Sequence, residues 1–359
     1  MQEQCKVAVI ADWDADGVVG AALIYYAQEK KGVFPVKGRE KVCLIPAGPR
    51  SIVEEMGEEC WDNLVIVDIP VTDEVIKALA AFRERCSNSK IYYFDHHSST
   101  LKNIHELEDK YNVFAVVGKS PSSVIIKRFL EGLNVRFTRR LEDFVAAIAV
   151  LEGSSSLKRQ VDVSQKLVEM AAAISKMLNV TRSREAWVKY VRWLANPLPF
   201  EDPGVRLAAL LKESEGKVNL LEASEELSKK ADEEVRRVAT ELAMSAVNLG
   251  YVKFVDARGK WNKRGASALA SAIYKIVGQP VAVLFERADG TRLLVIRSGR
   301  GEASRILDIL REQGIVEDKG GHGNIAVARL NEAVTVRMLE QALRRAAFEA
   351  ARRSSSNIW

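Results

Sequence analysis

The sequence predicts an α/β protein in which a parallel-sheet domain is joined by a long helical linker to a smaller α/β domain. Three observations predict it. Short, continuously apolar runs alternate with helical stretches through the first third of the chain, the pattern of buried parallel strands with helices on both faces. A proline cluster is followed by a long, charged, amphipathic stretch with few breakers, Glu213 to Leu249, suited to bridging two lobes. Strand-like runs then return after Gly250. The expected domains are residues 1–185, a linker over 186–249, a second domain over 250–345 and a basic tail over 346–359.

The first strand is Lys6-Val7-Ala8-Val9-Ile10 and the second Lys41-Val42-Cys43-Leu44-Ile45. Leu64 to Asp68, Ile91 to Asp95 and Val113 to Val117 make three more. Between them, Gly20 to Lys30 and Asp73 to Arg85 have helical spacing, and Ser122 to about Leu178 reads as helices, Leu141 to Leu151 among them. Ala195 to Gly204 holds three prolines and reads as a break or tight connection. In the second domain the strands are Tyr251 to Val255, Val281 to Phe285 and Leu293 to Arg297.

No apolar run is long enough to span a bilayer and the N-terminus does not read as a signal peptide, so a cytoplasmic protein with no membrane partner is expected. Cys5, Cys43, Cys60 and Cys86 have irregular spacings without C-x-x-C and read as reduced thiols, neither a zinc site nor a disulfide framework. A formal net charge of +5 permits an anionic partner without demanding one. Arginines gather late, at Arg292, Arg297, Arg300, Arg305 and Arg311, and again at Arg344, Arg345, Arg352 and Arg353.

The chemistry concentrates where strands end. Asp12, Asp14 and Asp16 follow the first strand directly, and carboxylates beside a core repel one another unless something pairs with them. The run imitates an EF-hand loop, but the twelfth position is Leu23 instead of Glu and a strand precedes it. A nucleophilic aspartate for phosphoryl transfer, as in a haloacid-dehalogenase phosphatase, stays open on these residues alone. The third strand ends in Asp68 and the fourth in Asp95-His96-His97, two of the chain's four histidines. Strand ends of a parallel sheet share one edge, so these groups converge. Mixed carboxylate and imidazole ligands suit Mn²⁺ or Mg²⁺, and no thiolate joins them.

Asp95-His96-His97 resembles the signature that names the DHH phosphoesterase superfamily. "DWDADG" looks like its first motif in the RecJ-type form, "VIVDIP" like its second and "YYFDHHSS" like its third. Gly320-Gly321-His322-Gly323 resembles the glycine–histidine motif of the DHH-associated domain, and Ile296-Arg297-Ser298 its arginine-bearing strand. These motifs span nearly the whole chain and leave the dehalogenase alternative without support. The resemblance implies two lobes joined by a helix, two Mn²⁺ or Mg²⁺ ions on the first lobe and substrate held against the second. It implies Asp12, Asp14, Asp16, Asp68 and His96 as metal ligands, with Glu152 standing where the family's fourth motif has Asp. Asp95 and His97 would orient ligands or protonate the leaving oxygen. Arg297, Ser298, Gly320, Gly321, His322 and Gly323 would bind substrate. Ser122 and Ser123 read most simply as helix caps, with a phosphate contact as the alternative. Trp13 is expected either to stack on a base or to pack on the sheet edge.

Three functions follow. The first is an exonuclease on single-stranded DNA or RNA, resembling the short archaeal RecJ-like enzymes of DNA repair. The second is a phosphoesterase for short oligonucleotides, cyclic dinucleotides or 3′-phosphonucleotides. The third is a non-catalytic subunit with a replication or repair protein partner, which Glu152 in place of Asp keeps open.

Overall fold

The structure, a computed structural model, describes residues 5–153, 162–196, 218–262 and 265–355. The chain divides into two compact units, Met1–Ser228 and Lys229–Trp359. The cut falls within the long charged helix, described over Val218–Met244. The proline segment from Pro197 onward lies outside the described residues.

The first unit is built on a five-stranded sheet: β1 (Val7–Ala11), β2 (Val42–Pro46), β3 (Asn63–Val67), β4 (Lys90–Asp95) and β5 (Val113–Val117). Their order is β2-β1-β3-β4-β5, and every pairing is parallel. All residues of β1 and β3 are buried, which is why these strands read as unbroken apolar runs and not as alternation. One face packs against α1 (Ala15–Tyr25), α6 (Ser122–Gly132), α7 (Arg139–Glu152), α8 (Gln165–Thr181) and α9 (Arg184–Ala195). The other packs against α2 (Ile52–Met56), α3 (Asp73–Arg85) and α5 (Ile104–Tyr111), with the short α4 (Ser98–Lys102) leading into α5.

Register sets the functional edge. Ala11 lies opposite Val67, and Val67 opposite Phe94. One residue further on, Asp12, Asp68 and Asp95 therefore stand in a row at the carboxyl ends of three adjacent strands. Backbone bonds carry the ladder to that point, from Asp12 N–H to Val67 O (3.2 Å) and from Asp68 N–H to Phe94 O (2.9 Å).

Helix α1 starts earlier than its periodicity suggests, at Ala15, because the Asp14 carboxylate caps it by accepting from Gly17 N–H (3.0 Å). Every residue of α1 is buried, and small residues let it lie close to β3. A Cβ on Gly20 would stand 2.6 Å from Val67 Cγ1.

The cysteine expectation is corrected. Cys5 is bonded to Cys43 and Cys60 to Cys86, and no free cysteine remains. Cys43 sits on β2 next to β1, and Cys86 follows α3. Each pair has its Cα atoms 5.7 Å apart, a proximity made by the strand order, which spacing along the chain does not encode.

The second unit holds the C-terminal part of α10 (Val218–Met244) and a six-stranded sheet in the order β10-β11-β9-β8-β7-β6. Its strands are β6 (Val247–Asn248), β7 (Lys253–Asp256), β8 (Val281–Glu286), β9 (Arg292–Arg297), β10 (Gly320–His322) and β11 (Ile325–Arg329). Only β7 and β8 pair in parallel, so the sheet is mixed. One face carries α10 and α11 (Ala266–Val277), and the other α12 (Glu302–Glu312) and α13 (Val336–Ser355). The long helix stops at Met244, short of the expected Leu249, because Val247 and Asn248 pair with β7. The expected tail is helical through Ser355. Among the described residues no helix is long and apolar enough to cross a membrane.

Gly20→Ala is expected to destabilise the first unit by about 1–3 kcal/mol, because the new methyl group forces α1 away from β3. Gly132→Ala, with nothing near its added methyl, is the control and should cost nothing. Urea unfolding reads both, and a parent-like midpoint for Gly20→Ala would contradict the close packing.

Candidate functional site

The row of aspartates is completed from neighbouring helices. Asp16, on the first turn of α1, is fully buried, and its two oxygens accept from the backbone N–H groups of Ser122 (2.6 Å) and Ser123 (2.9 Å) at the start of α6. Its negative charge thus meets the positive end of a helix dipole. Ser122 Oγ also donates to Asp68 Oδ1 at 2.8 Å. The cap position of α6 is Pro121, so neither serine is the cap expected from sequence. Both are fully buried, with their amides bonded to the Asp16 carboxylate.

Asp68 is the pivot. It is 1% exposed and its φ is +60°, a conformation that costs a non-glycine residue on the order of 1–3 kcal/mol. Its Oδ2 is buried and accepts no hydrogen bond. His96 Nε2 lies 3.4 Å from Asp68 Oδ1 and 3.9 Å from Asp16 Oδ2. Two sets of ligand atoms gather within 4.8 Å: one on Asp68, His96 and His97, the other on Asp16, His96 and Glu152. Glu152, the exposed last residue of α7, therefore reaches the cluster from the solvent side. The donors are all oxygen and imidazole nitrogen, and Asp68 offers a buried lone pair that no protein hydrogen satisfies. The residues fit a divalent cation of the Mn²⁺ or Mg²⁺ kind.

Asp95 and His97 sit beside this cluster as a locked pair. Asp95 is fully buried; its Oδ1 lies 2.7 Å from His97 Nδ1, and its Oδ2 accepts from His97 N–H (3.2 Å) and from the Thr100 hydroxyl. The Thr100 oxygen in turn accepts from Val71 N–H at 3.0 Å. The Nδ1 contact to Asp95 fixes the orientation of the His97 ring. Thr100 has no motif to announce it and was not foreseen.

The Asp12-to-Asp16 loop is held by packing. Trp187 Nε1 donates to Asp12 O at 3.1 Å, and a Cβ on Gly17 would lie 2.4 Å from that same oxygen. Trp13 is buried beneath the Arg182 guanidinium, 5.0 Å from its ring, which favours packing over base stacking. Asp12 and Asp14 stand outside the two tight sets yet close enough to act on them electrostatically. Burial and the Asp14 charge push Asp12 up to about 7. Burial raises Asp16, and it raises Asp68 further with the charges of Asp16, Asp14, Glu152 and Asp95 added. Burial opposes the charge on His97, but Asp95 outweighs it and the imidazole is raised.

In the second unit, Arg297 ends β9, with its Nη1 donating to Asn324 O at 2.8 Å and its guanidinium over the Tyr274 ring. Arg297 pairs with Ile325, and Ile325 with His322, so Arg297 and His322 share one row across β9, β11 and β10. Gly321 has φ +105°, and a Cβ there would meet Ile325 O at 2.5 Å, so the loop requires glycine. Ser298 is fully buried, and its Oγ accepts from Ala303 N–H (3.1 Å) at the start of α12.

A parallel sheet with oxygen and imidazole groups along its carboxyl edge is followed in the chain by a mixed-sheet unit with a glycine loop. The fold is shared with solved RecJ and DHH-domain structures. The DHH domain of a member of the s1p family of ribosomal proteins superposes with a TM-score of 0.63 at 16% identity, covering 95% of this chain and 86% of that one. RecJ of Thermus thermophilus, in complex with Mn²⁺, gives 0.60 at 18% identity over 96% of this chain, which spans only 52% of that RecJ. A pGpG-specific phosphodiesterase from Vibrio cholerae gives 0.51 at 11% identity, over 96% of this chain and 99% of that one. No protein-family model matches the sequence, and no curated protein matches it.

The raised carboxyls set a pH dependence. A carboxyl whose pKa is higher folded than unfolded stabilises the fold below its unfolded value, and that stability is lost as pH rises through the folded value. For Asp12 the window runs from 3.8 to about 7, and the raised His97 loses stability in the same direction. In chelator, the melting temperature should fall between pH 5 and pH 8, and Mn²⁺ should raise it more at pH 8. Asp68→Asn should flatten both trends. Equal melting curves for parent and variant at each pH would contradict the account.

Proposed function

We propose that this protein is a divalent-metal-dependent phosphodiesterase acting on single-stranded DNA or RNA as a RecJ-like exonuclease. One observation carries the reading: ligand atoms of Asp68, His96 and His97, and of Asp16, His96 and Glu152, gather within 4.8 Å at the sheet's carboxyl edge, and Asp68 Oδ2 is buried with no hydrogen bond from the protein. A bound cation supplies Lewis acidity toward a phosphoryl oxygen and lowers the pKa of a water.

Asp68, Asp16, His96 and Glu152 hold two such ions, with Asp12 and Asp14 adding negative charge at the flank. Ser122 and Ser123 fix the Asp16 carboxylate, which sets where its lone pairs point. Asp95 fixes the tautomer and orientation of His97 through Nδ1, so that Nε2 is placed to hold a ligand or to give a proton to the leaving oxygen. In the second unit, Arg297 and the backbone around Gly320, Gly321, His322 and Gly323 supply phosphate contacts.

A second reading is a small-substrate phosphoesterase. Its support is the likeness to the pGpG-specific phosphodiesterase, 99% of whose length this chain covers. The test is a length series of end-labelled DNA and RNA, from dinucleotide to about twenty nucleotides, with Mn²⁺, Mg²⁺ or chelator. Hydrolysis should need the cation and quicken with length. Asp68→Asn should lower it by at least two orders of magnitude with the circular dichroism spectrum retained. A rate that peaks at the dinucleotide selects the second reading, and a parent-like rate in Asp68→Asn rejects the site.

A further inference from the structure

The last helix of the second unit carries a basic and aromatic surface. Helix α13 buries Leu339, Ala342, Leu343, Ala346, Ala347 and Ala350 against the sheet. Its outward side presents Arg337, Arg344, Arg345, Phe348 and Arg352, all exposed. At about 100° per residue these five fall within an arc of about 100°, whereas Glu340 and Glu349 lie outside it on either side. Four of the helix's five arginines thus share one face, over an axial length of about 22 Å from Arg337 to Arg352. Among the described residues, Arg337, Arg344 and Arg345 form no ion pair.

The aromatic content of this face is unusual for a solvated helix. Phe348 is 54% exposed, and beside it stands Tyr251, 56% exposed, with ring centroids 5.8 Å apart. Two bare rings flanked by the guanidinium groups of Arg344 and Arg345 match the two parts of an unpaired strand, bases for stacking and phosphates for charge. A duplex hides its base faces and would leave the rings unused. A protein interface would put apolar neighbours around the rings, but here the flanking positions along the helix are arginine.

We propose that the Arg337–Arg352 face of α13, with Phe348 and Tyr251, is a metal-independent binding site for single-stranded nucleic acid on the second unit. This rests on the proposed function for its substrate class and extends it to a second surface. The guanidinium groups take backbone phosphates, and one or two bases stack on the Phe348–Tyr251 pair.

The test uses the full chain in EDTA, with fluorescein-labelled dT₂₀ and a blunt duplex of equal length as probes in fluorescence anisotropy. Arg344→Glu with Arg345→Glu should weaken dT₂₀ binding at least tenfold. It should also reduce the slope of log affinity against log salt by about 0.7 for each phosphate that is no longer neutralised. Phe348→Ala with Tyr251→Ala should weaken dT₂₀ binding about five- to tenfold with the salt slope unchanged. Neither pair should alter Mn²⁺-dependent cleavage of a labelled dinucleotide, which reports on the proposed hydrolytic site and not on the α13 face. Unchanged dT₂₀ affinity in both pairs overturns the proposal, whatever the hydrolysis assay shows. Loss of duplex and dT₂₀ binding to the same extent in the aromatic pair also overturns it, as does a variant effect confined to oligomeric state. Absence of dinucleotide or strand cleavage in the parent would fall on the proposed hydrolysis and leave the anisotropy result standing.

Discussion

The first unit is organised around a set of buried carboxyl groups held close together at one sheet edge. Asp16, Asp68 and Asp95 are each no more than 1% exposed, and burial of carboxylates in such proximity is unfavourable without partners. The fold supplies partners unevenly. Asp16 has two helix N–H groups, and Asp95 has His97 and Thr100. Asp68 has Ser122 on one oxygen and nothing on the other. Its backbone is held in the left-handed region, so strain and missing solvation concentrate on the same residue. A cation at that oxygen offsets both, which is why the metal reading follows from energetics as well as from the choice of ligands.

Much else depends on satisfying this cluster. Helix α6 has to begin at Ser122 so that its first amides meet Asp16, and α1 has to begin beside Asp14 so that Gly17 can pass close to Asp12. The close approach of α1 to β3, which Gly20 permits, carries Asp16 toward Asp68. The small-residue helix and the glycine positions are therefore consequences of the site's geometry as much as of core packing.

The strands and the acidic row were legible in the sequence because doubly covered parallel strands are unbroken apolar runs and their ends share one edge. The division into two lobes was legible from the long charged helix between strand-rich segments. Glu152 and the row joining Arg297 to His322 were reached through resemblance to known motifs, since nothing in their local pattern marks them. The disulfides were read wrongly, because chain spacing does not state which strand lies beside which. Ser122 and Ser123 were expected as caps because a hydroxyl-rich helix start looks the same whether it faces solvent or a buried carboxylate. The ends of α10 and the helical tail depended on pairing with β7 and on packing against the second sheet, both long-range effects.

The central claim is that the unsatisfied Asp68 oxygen is a cation ligand. Anomalous diffraction at the manganese edge from crystals of the protein grown with Mn²⁺ tests it most directly. The account predicts a peak within coordination distance of Asp68 Oδ2, bordered by Asp16 and His96. A map with no peak there, or with manganese bound only elsewhere, would contradict it.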